Sequence, residues 1–257
     1  MTMNVITCLL LGIAHEHCNK MAEVKKEFPI FIHNFGSYDS HFLVHAMGDL
    51  KSRDVIQTCS VIPKTSEKFL SIIINGNIKF LDSLCFTLSS LDRLVETMKL
   101  GGTDEFKMTR QEFATEAANG TDIELLFQKG AYPYSLMKTL DDFKRDKLPA
   151  ASDFYNDLCE QAIEDKVYEH ALKVWDSFNI KNMGDWHDLY VRLDTALLAD
   201  VIENTRKLMM ESYGLELGHY LSLPMIAWDA LLKMTKAELD HISDPTMHCW
   251  IEEAIRG

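Results

Sequence analysis

Residues 68–86, KFLSIIINGNIKFLDSLCF, decide the fold class. Two runs of β-branched and aromatic residues flank Asn75-Gly76, and an Asn-Gly pair tolerates the two positive φ angles of a tight type I′ turn. The stretch therefore reads as an antiparallel hairpin. Upstream, residues 54–63, DVIQTCSVIP, read as another strand. Residues 28–35, FPIFIHNF, read as a short buried strand that ends in a turn. From Ser37, SYDSHFLVHAMGDL is expected to be helical, with Ser37 as N-cap and Asp39 in the first turn, where the helix dipole favours an anion.

Downstream of the hairpin the pattern turns helical. SSLDRLVETMKL predicts a helix capped by Ser89 or Ser90 and ended by Gly101-Gly102. Residues 101–170 are acidic and irregular, with short helices joined by connections, and EDKVYEHALKVWDSFN closes them as a helix. The longest element is expected from about Trp186 to Tyr213 and stops at Gly214. Its apolar stripe is Leu189, Leu193, Ala196, Leu197 and Val201. One or two helices follow. Strands early, a hairpin and then helices make an α/β fold with a mixed sheet flanked by helices.

The 257 residues carry a formal net charge of −13. Sequence-independent DNA binding runs on phosphate neutralisation by Lys and Arg, so the charge balance argues against a nonspecific DNA binder acting through its whole surface. It leaves room for a local groove. The six cysteines are scattered without a C-x-x-C pair, which reads as reduced thiols inside a cell. The N-terminal apolar run is too short to span a bilayer and lacks a basic flank, so no membrane association is expected.

Tyr190 and Asp194 lie four apart and share a helix face beside the apolar stripe. A carboxylate there needs a partner, because an unpaired buried charge is costly. That partner is either an Arg or Lys, or a divalent cation. Asp39 is open to the same two readings, Asn34 suits a turn, and Asp82 and Ser83 mark the end of a hairpin strand. Two carboxylates from separate elements could hold divalent metal for phosphodiester hydrolysis, which calls for hard oxygen ligands.

HNFGSYD (33–39) and YVRLD (190–194) resemble the second and third exonuclease motifs of protein-primed family B DNA polymerases, the type found in viruses, linear organellar plasmids and self-synthesising transposons. The surrounding stretches are similar too: FPIFIHNFGSYDSHFLV, IKFLDSLCFTLSSLDRLVETM, YPYSLMKTLDDFKRDKLP, YEHALKVWDSFN, GDWHDLYVRLDTALLADVIEN, YGLELGHYLSLPMIAWDALLKMT and MHCWIEEAIRG. The likeness covers about residues 12–257. It implies a ribonuclease H-like 3′→5′ exonuclease domain over 28–213, the start of a polymerase domain over 214–257, and a remnant of an upstream zinc-binding insert over 1–27. His15, Cys18 and Cys8 would be the stranded ligands of that insert.

The resemblance implies that Asp39 and Asp194 hold Mg²⁺ or Mn²⁺ and that Tyr190 orients the attacking water. It assigns the primer end to His33, Asn34, Tyr38 and Phe42, and single-strand contacts to Ser83 and Leu84. It further implies single-stranded DNA or a primer 3′ end as ligand, a terminal protein as primer, and an intracellular setting, nuclear or tied to a virus or mobile element. Two departures shape the expectation. Residues 1–27 contain no Asp, so the Asp-x-Glu of the first exonuclease motif is missing, and no catalytic palm motif follows. The chain is therefore expected to be an internal fragment of a DNA-directed DNA polymerase, inactive in polymerisation and impaired as an exonuclease. The alternative is a non-catalytic single-strand or partner-binding module.

Overall fold

The computed structural model describes residues 27–65, 67–157, 160–239 and 242–256. The expected zinc remnant, with Cys8, His15 and Cys18, lies outside them. Four strands form one mixed sheet: β1 (Phe28–Ile32), β2 (Cys59–Pro63), β3 (Phe69–Ile74) and β4 (Ile78–Asp82), in the order β1-β4-β3-β2. Strands β3 and β4 pair antiparallel around Asn75 and Gly76, whose φ angles are +51° and +69°. That is the turn the Asn-Gly pair predicts. β2 pairs antiparallel with β3, and β1 pairs parallel with β4 from Phe28↔Ile78 to Ile32↔Asp82. The α/β architecture with a mixed sheet is thus as expected.

The helices are α1 (Asp39–Ser52), α2 (Leu84–Thr87), α3 (Leu91–Leu100), α4 (Lys107–Glu112), α5 (Ala114–Ala118), α6 (Asp165–Ser177), α7 (Met183–Tyr213), α8 (Leu223–Thr235) and α9 (Pro245–Arg256). Three details differ from the sequence reading. β1, expected to be buried, ends the sheet as an edge strand with Phe28, Pro29 and Ile30 exposed. Residues 35–37 form a single 3-10 turn, so Tyr38 rather than Ser37 stands at the N-cap of α1. The second strand starts at Cys59, because Asp54 turns the chain at φ +57° and Ile56 is buried with Met47 of α1 instead of continuing a ladder. Gly214 ends α7 in the left-handed conformation, as its position predicts.

The period-2 alternation of the strands sends side chains to two cores. Ile72 and Ile74 of β3, with Ile78 and Phe80 of β4, pack with Phe35, Met47 and Ile56 under α1. On the opposite face, Leu81 and Phe31 pack with Phe86, with Ile202 of α7, with Leu215, Leu217 and Tyr220 from the segment leading into α8, and with Ile226 and Ala230 of α8 itself. A third core surrounds the first half of α7, where Leu189, Leu193, Leu197 and Val201 meet Phe106, Phe113, Leu126, Phe127 and α6. The predicted stripe of α7 is what this core buries. Asp200 pins that arrangement: its buried carboxylate accepts from the N–H groups of Met108 (2.7 Å) and Thr109 (3.0 Å) and from the Thr109 hydroxyl (2.7 Å), capping the short α4.

Lys79 is a buried lysine on β4. Its ammonium donates to the carbonyls of Gly218 (3.2 Å) and His219 (3.4 Å) and lies 3.5 Å from Glu27. It ties the turn before α8 to the sheet. No helix among the described residues is long and apolar enough to cross a membrane.

Candidate nucleic-acid interface

Because β1 and β4 run parallel, their carboxyl ends emerge side by side. Such paired strand ends are where open α/β sheets tend to place ligands. His33 and Asn34 leave β1 there, and Ser83 and Leu84 leave β4. The two ends are sewn together: Ser83 N–H donates to Ile32 O at 3.0 Å, and His33 Nδ1 sits 3.0 Å from the Ser83 hydroxyl. Ser83 is fully buried and Leu84 half-buried. Burial lowers the His33 pKa, with the charge of Asp82 opposing that shift and Lys129 reinforcing it. His33 is therefore neutral near pH 7.

Asp82 closes the turn that follows. Its Oδ2 accepts from the buried N–H of Gly36 at 2.9 Å and its Oδ1 from Leu84 N–H at 3.0 Å. Gly36 admits no side chain, since a Cβ there would lie 2.5 Å from the Phe69 carbonyl oxygen. Asn34 takes the left-handed conformation, at φ +60° and ψ +30°, which Asn tolerates better than most residues. The chain then enters α1 with Tyr38 and Phe42 both exposed, 63% and 61%, their rings edge to face at 5.1 Å. Asp39 sits half-buried in the first turn.

α7 supplies the other wall. Tyr190 is buried, and its hydroxyl lies 2.7 Å from that of Tyr134. Burial and the neighbouring Asp194 push the Tyr190 pKa far up, so the phenol stays protonated. Asp194 has its own pKa raised by burial, opposed by Lys129 and by the Tyr190 hydroxyl. Its Oδ1 is shut off from solvent with no hydrogen-bond partner. The charges of Lys129, Asp92 and His33 all act on Asp194, Lys129 and His33 lowering its pKa and Asp92 raising it.

His33 and Ser83 meet at the strand ends, Tyr190 and Asp194 share a face of α7, and the charge of His33 acts on Asp194 through space, with Tyr38 and Phe42 at the exposed start of α1. No hydrogen bond among the described residues joins Asp39 to Asp194, and Asp39 is not among the charges that act on Asp194. Nor is any group of three or more His, Cys, Asp or Glu side chains among them placed to hold a metal ion. The orphaned Oδ1 of Asp194 suits a cation, but the described residues complete no cage around it.

Sequence reasoning about the site missed Lys129 and Tyr134. Both lie in KGAYPY, residues 129–134, a short run holding a cation and two tyrosines, and that composition was the available signal. Tyr132 belongs with them. Its ring stands 4.9 Å from Tyr190 and 5.1 Å from Tyr134, and its hydroxyl is 2.9 Å from His187 Nδ1. No protein-family model, curated protein or solved structure matches the chain.

Proposed function

We propose that this chain carries part of a protein-primed family B DNA polymerase, that residues 28–213 are its ribonuclease H-like exonuclease domain, and that the site at the ends of β1 and β4 holds the 3′ end of a DNA single strand. The observation that carries the reading is Asp194: a half-buried carboxylate with one orphaned oxygen, braced by Tyr190 and set in the field of His33 and Lys129. An aspartate that only balanced a core cation would have that cation in contact. Lys129 acts on it through space, with no ion pair between them.

The division of labour follows from the geometry. Tyr38 and Phe42 offer exposed ring faces to unstacked bases, which is sequence-tolerant chemistry. His33, neutral and fixed by Ser83, offers a hydrogen bond rather than a charge. Lys129 offers the cation for a phosphate. Mg²⁺ or Mn²⁺ at Asp194 would supply Lewis-acid stabilisation of a cleaving phosphodiester. With no group of three or more His, Cys, Asp or Glu side chains among the described residues placed to hold a metal ion, we derive no hydrolytic step. Polymerisation and efficient 3′ trimming are both expected to be absent.

The test is a pair of assays on the purified chain with a labelled primer–template and a labelled single strand, each with Mg²⁺ and with Mn²⁺. Neither extension nor rapid trimming is expected. Metal-dependent trimming that disappears in both Asp39→Ala and Asp194→Ala would show that the cage is completed after all. One observation favours the second reading, a non-catalytic single-strand binding module: Tyr38 and Phe42 pair as exposed rings, while no group of three or more His, Cys, Asp or Glu side chains among the described residues is placed to hold a metal ion. Binding of a single strand that survives chelation and falls in Tyr38→Ala supports that reading.

A further inference from the structure

α1 turns one face to the core, where Leu43, Met47 and Leu50 pack with Phe35 and Ile56. Its outward face carries His41, His45 and Asp49, each one turn from the last and all exposed. Side chains four apart on a helix are neighbours, with Cβ atoms roughly 5–6 Å apart. His41 is steadied from one side by Phe69, whose ring meets the imidazole edge to face at 5.9 Å. No hydrogen bond among the described residues engages either imidazole, so their ring nitrogens are available as donors to a ligand. Gly48 lies beside them, three residues after His45 and seven after His41. A Cβ built there would meet nothing within 4 Å, so the surface next to the pair is open.

We propose that His41 and His45 form a bidentate site for a late first-row divalent cation, Ni²⁺, Cu²⁺ or Zn²⁺, with water completing the coordination shell. Three features select the occupant. Imidazole nitrogen suits these ions, whereas Mg²⁺ takes oxygen ligands. The spacing lets both rings reach one ion, as two histidines at i and i+4 do on zinc-binding helices. Asp49, one turn further on, adds negative charge to the same face of a chain whose net charge is −13, and both draw a cation. No group of three or more His, Cys, Asp or Glu side chains forms here among the described residues, so the ion is exchangeable and not a closed structural centre. What it does for the fold follows from α1 itself. Tyr38 gives the helix no side-chain cap, and Gly48 weakens its interior. An ion bridging the first turn to the second staples this helix. The site is independent of the single-strand reading, since neither Asp39 nor Asp194 takes part in it.

The experiment titrates Ni²⁺ into the full chain by calorimetry, comparing wild type with His41→Ala and His45→Ala, each with and without excess Mg²⁺. His15, His17 and Cys18 are present in all three proteins, so the difference between them reads the α1 site. Each variant is expected to take up one Ni²⁺ fewer than wild type, or to hold that ion roughly tenfold more weakly, because a two-point attachment becomes a single bond. Excess Mg²⁺ should leave the wild-type titration unchanged. Either variant binding Ni²⁺ like wild type overturns the proposal. Displacement by Mg²⁺ overturns it too, because the ion would then sit on carboxylates. Both side chains are exposed, and equal urea midpoints without metal confirm that folded proteins are compared. Because His41 alone meets Phe69, His45→Ala tests the site even where loss of that ring contact shifts the His41→Ala midpoint.

Discussion

Replacing Asp82 by alanine tests whether the turn that presents His33, Asn34 and Asp39 is held by one carboxylate. Asp82 is 5% exposed and accepts two backbone N–H groups, Gly36 at 2.9 Å and Leu84 at 3.0 Å. A hydrogen bond to a charged group contributes about 1.5–3 kcal/mol, and a buried donor left without an acceptor loses its full desolvation cost. The Gly36 donor is buried and takes the upper part of that range. The Leu84 donor is only partly buried, so water recovers much of its loss. Removing the carboxylate also relieves its own burial. The sum is about 2–4 kcal/mol, a large share of a typical domain's 5–15 kcal/mol. Asp82→Asn keeps one acceptor oxygen and turns an NH₂ toward the second N–H, so it should fall between wild type and Asp82→Ala. Asp141→Ala serves as control, because that side chain is 85% exposed and paired only with Lys144 at the surface; a change under about 0.5 kcal/mol is expected. Urea unfolding followed by tryptophan fluorescence reads all three, with unchanged m-values securing the comparison. A loss below about 1 kcal/mol in Asp82→Ala would mean that the turn is held by something other than this carboxylate.

Two further outcomes follow from the same region. Gly36→Ala places a methyl 2.5 Å from the Phe69 carbonyl oxygen, a backbone atom that cannot rotate away, so a loss of about 2–3 kcal/mol is expected in the same unfolding assay, and a neutral result would show that β3 shifts to admit it. Asp194→Asn should be more stable than wild type at pH 7: burial raises the Asp194 pKa, the folded state then keeps a proton the unfolded chain releases, and stability falls as pH climbs from the ordinary carboxylate value through the raised one. The two melting temperatures should converge as pH drops toward 4, and a gap that widens on acidification would contradict the assignment.

Much of the fold was legible because the decisive signals are local. Asn75-Gly76 needs positive φ at two adjacent residues and has it. Gly214 ends α7 in the left-handed region, and the stripe Leu189–Leu193–Leu197–Val201 is buried as its 3.6-residue period requires. The boundaries that failed were those where a tertiary contact outweighed a local preference. Ser37 is a good cap residue, yet the clasp from Asp82 to Gly36 tightens residues 35–37 into a 3-10 turn and moves the start of α1 past Tyr38. Val55 and Ile56 have strand-forming side chains, but Ile56 gains more by joining Phe35 and Met47 beneath α1 than by lengthening β2. The parallel pairing of β1 with β4, which sets their ends side by side, has no signature in either strand alone. Both read simply as short apolar runs.

The site was legible only on its regular elements. Tyr190 and Asp194 are four apart on a helix, so their shared face could be read directly. Lys129 and Tyr134 lie on a connection whose path is set by packing of Leu126 and Phe127 against the α7 core, and no periodicity reports where such a loop ends up. This bears on the charge argument. A net charge of −13 speaks for the whole surface, where acids such as Asp141, at 85% exposure, are screened beyond about 10 Å at ordinary ionic strength. Around Asp194 a few groups set the balance instead: burial and the exposed Asp92 raise its pKa, Lys129 and the Tyr190 hydroxyl oppose them, and at the neighbouring half-buried His33 the charges of Asp82 and Lys129 act in opposite senses. An acidic composition therefore excludes a broad phosphate-tracking surface without excluding one phosphate beside Lys129. On the single-strand reading proposed above, a ligand at this site would draw its affinity more from the exposed rings of Tyr38 and Phe42 than from charge.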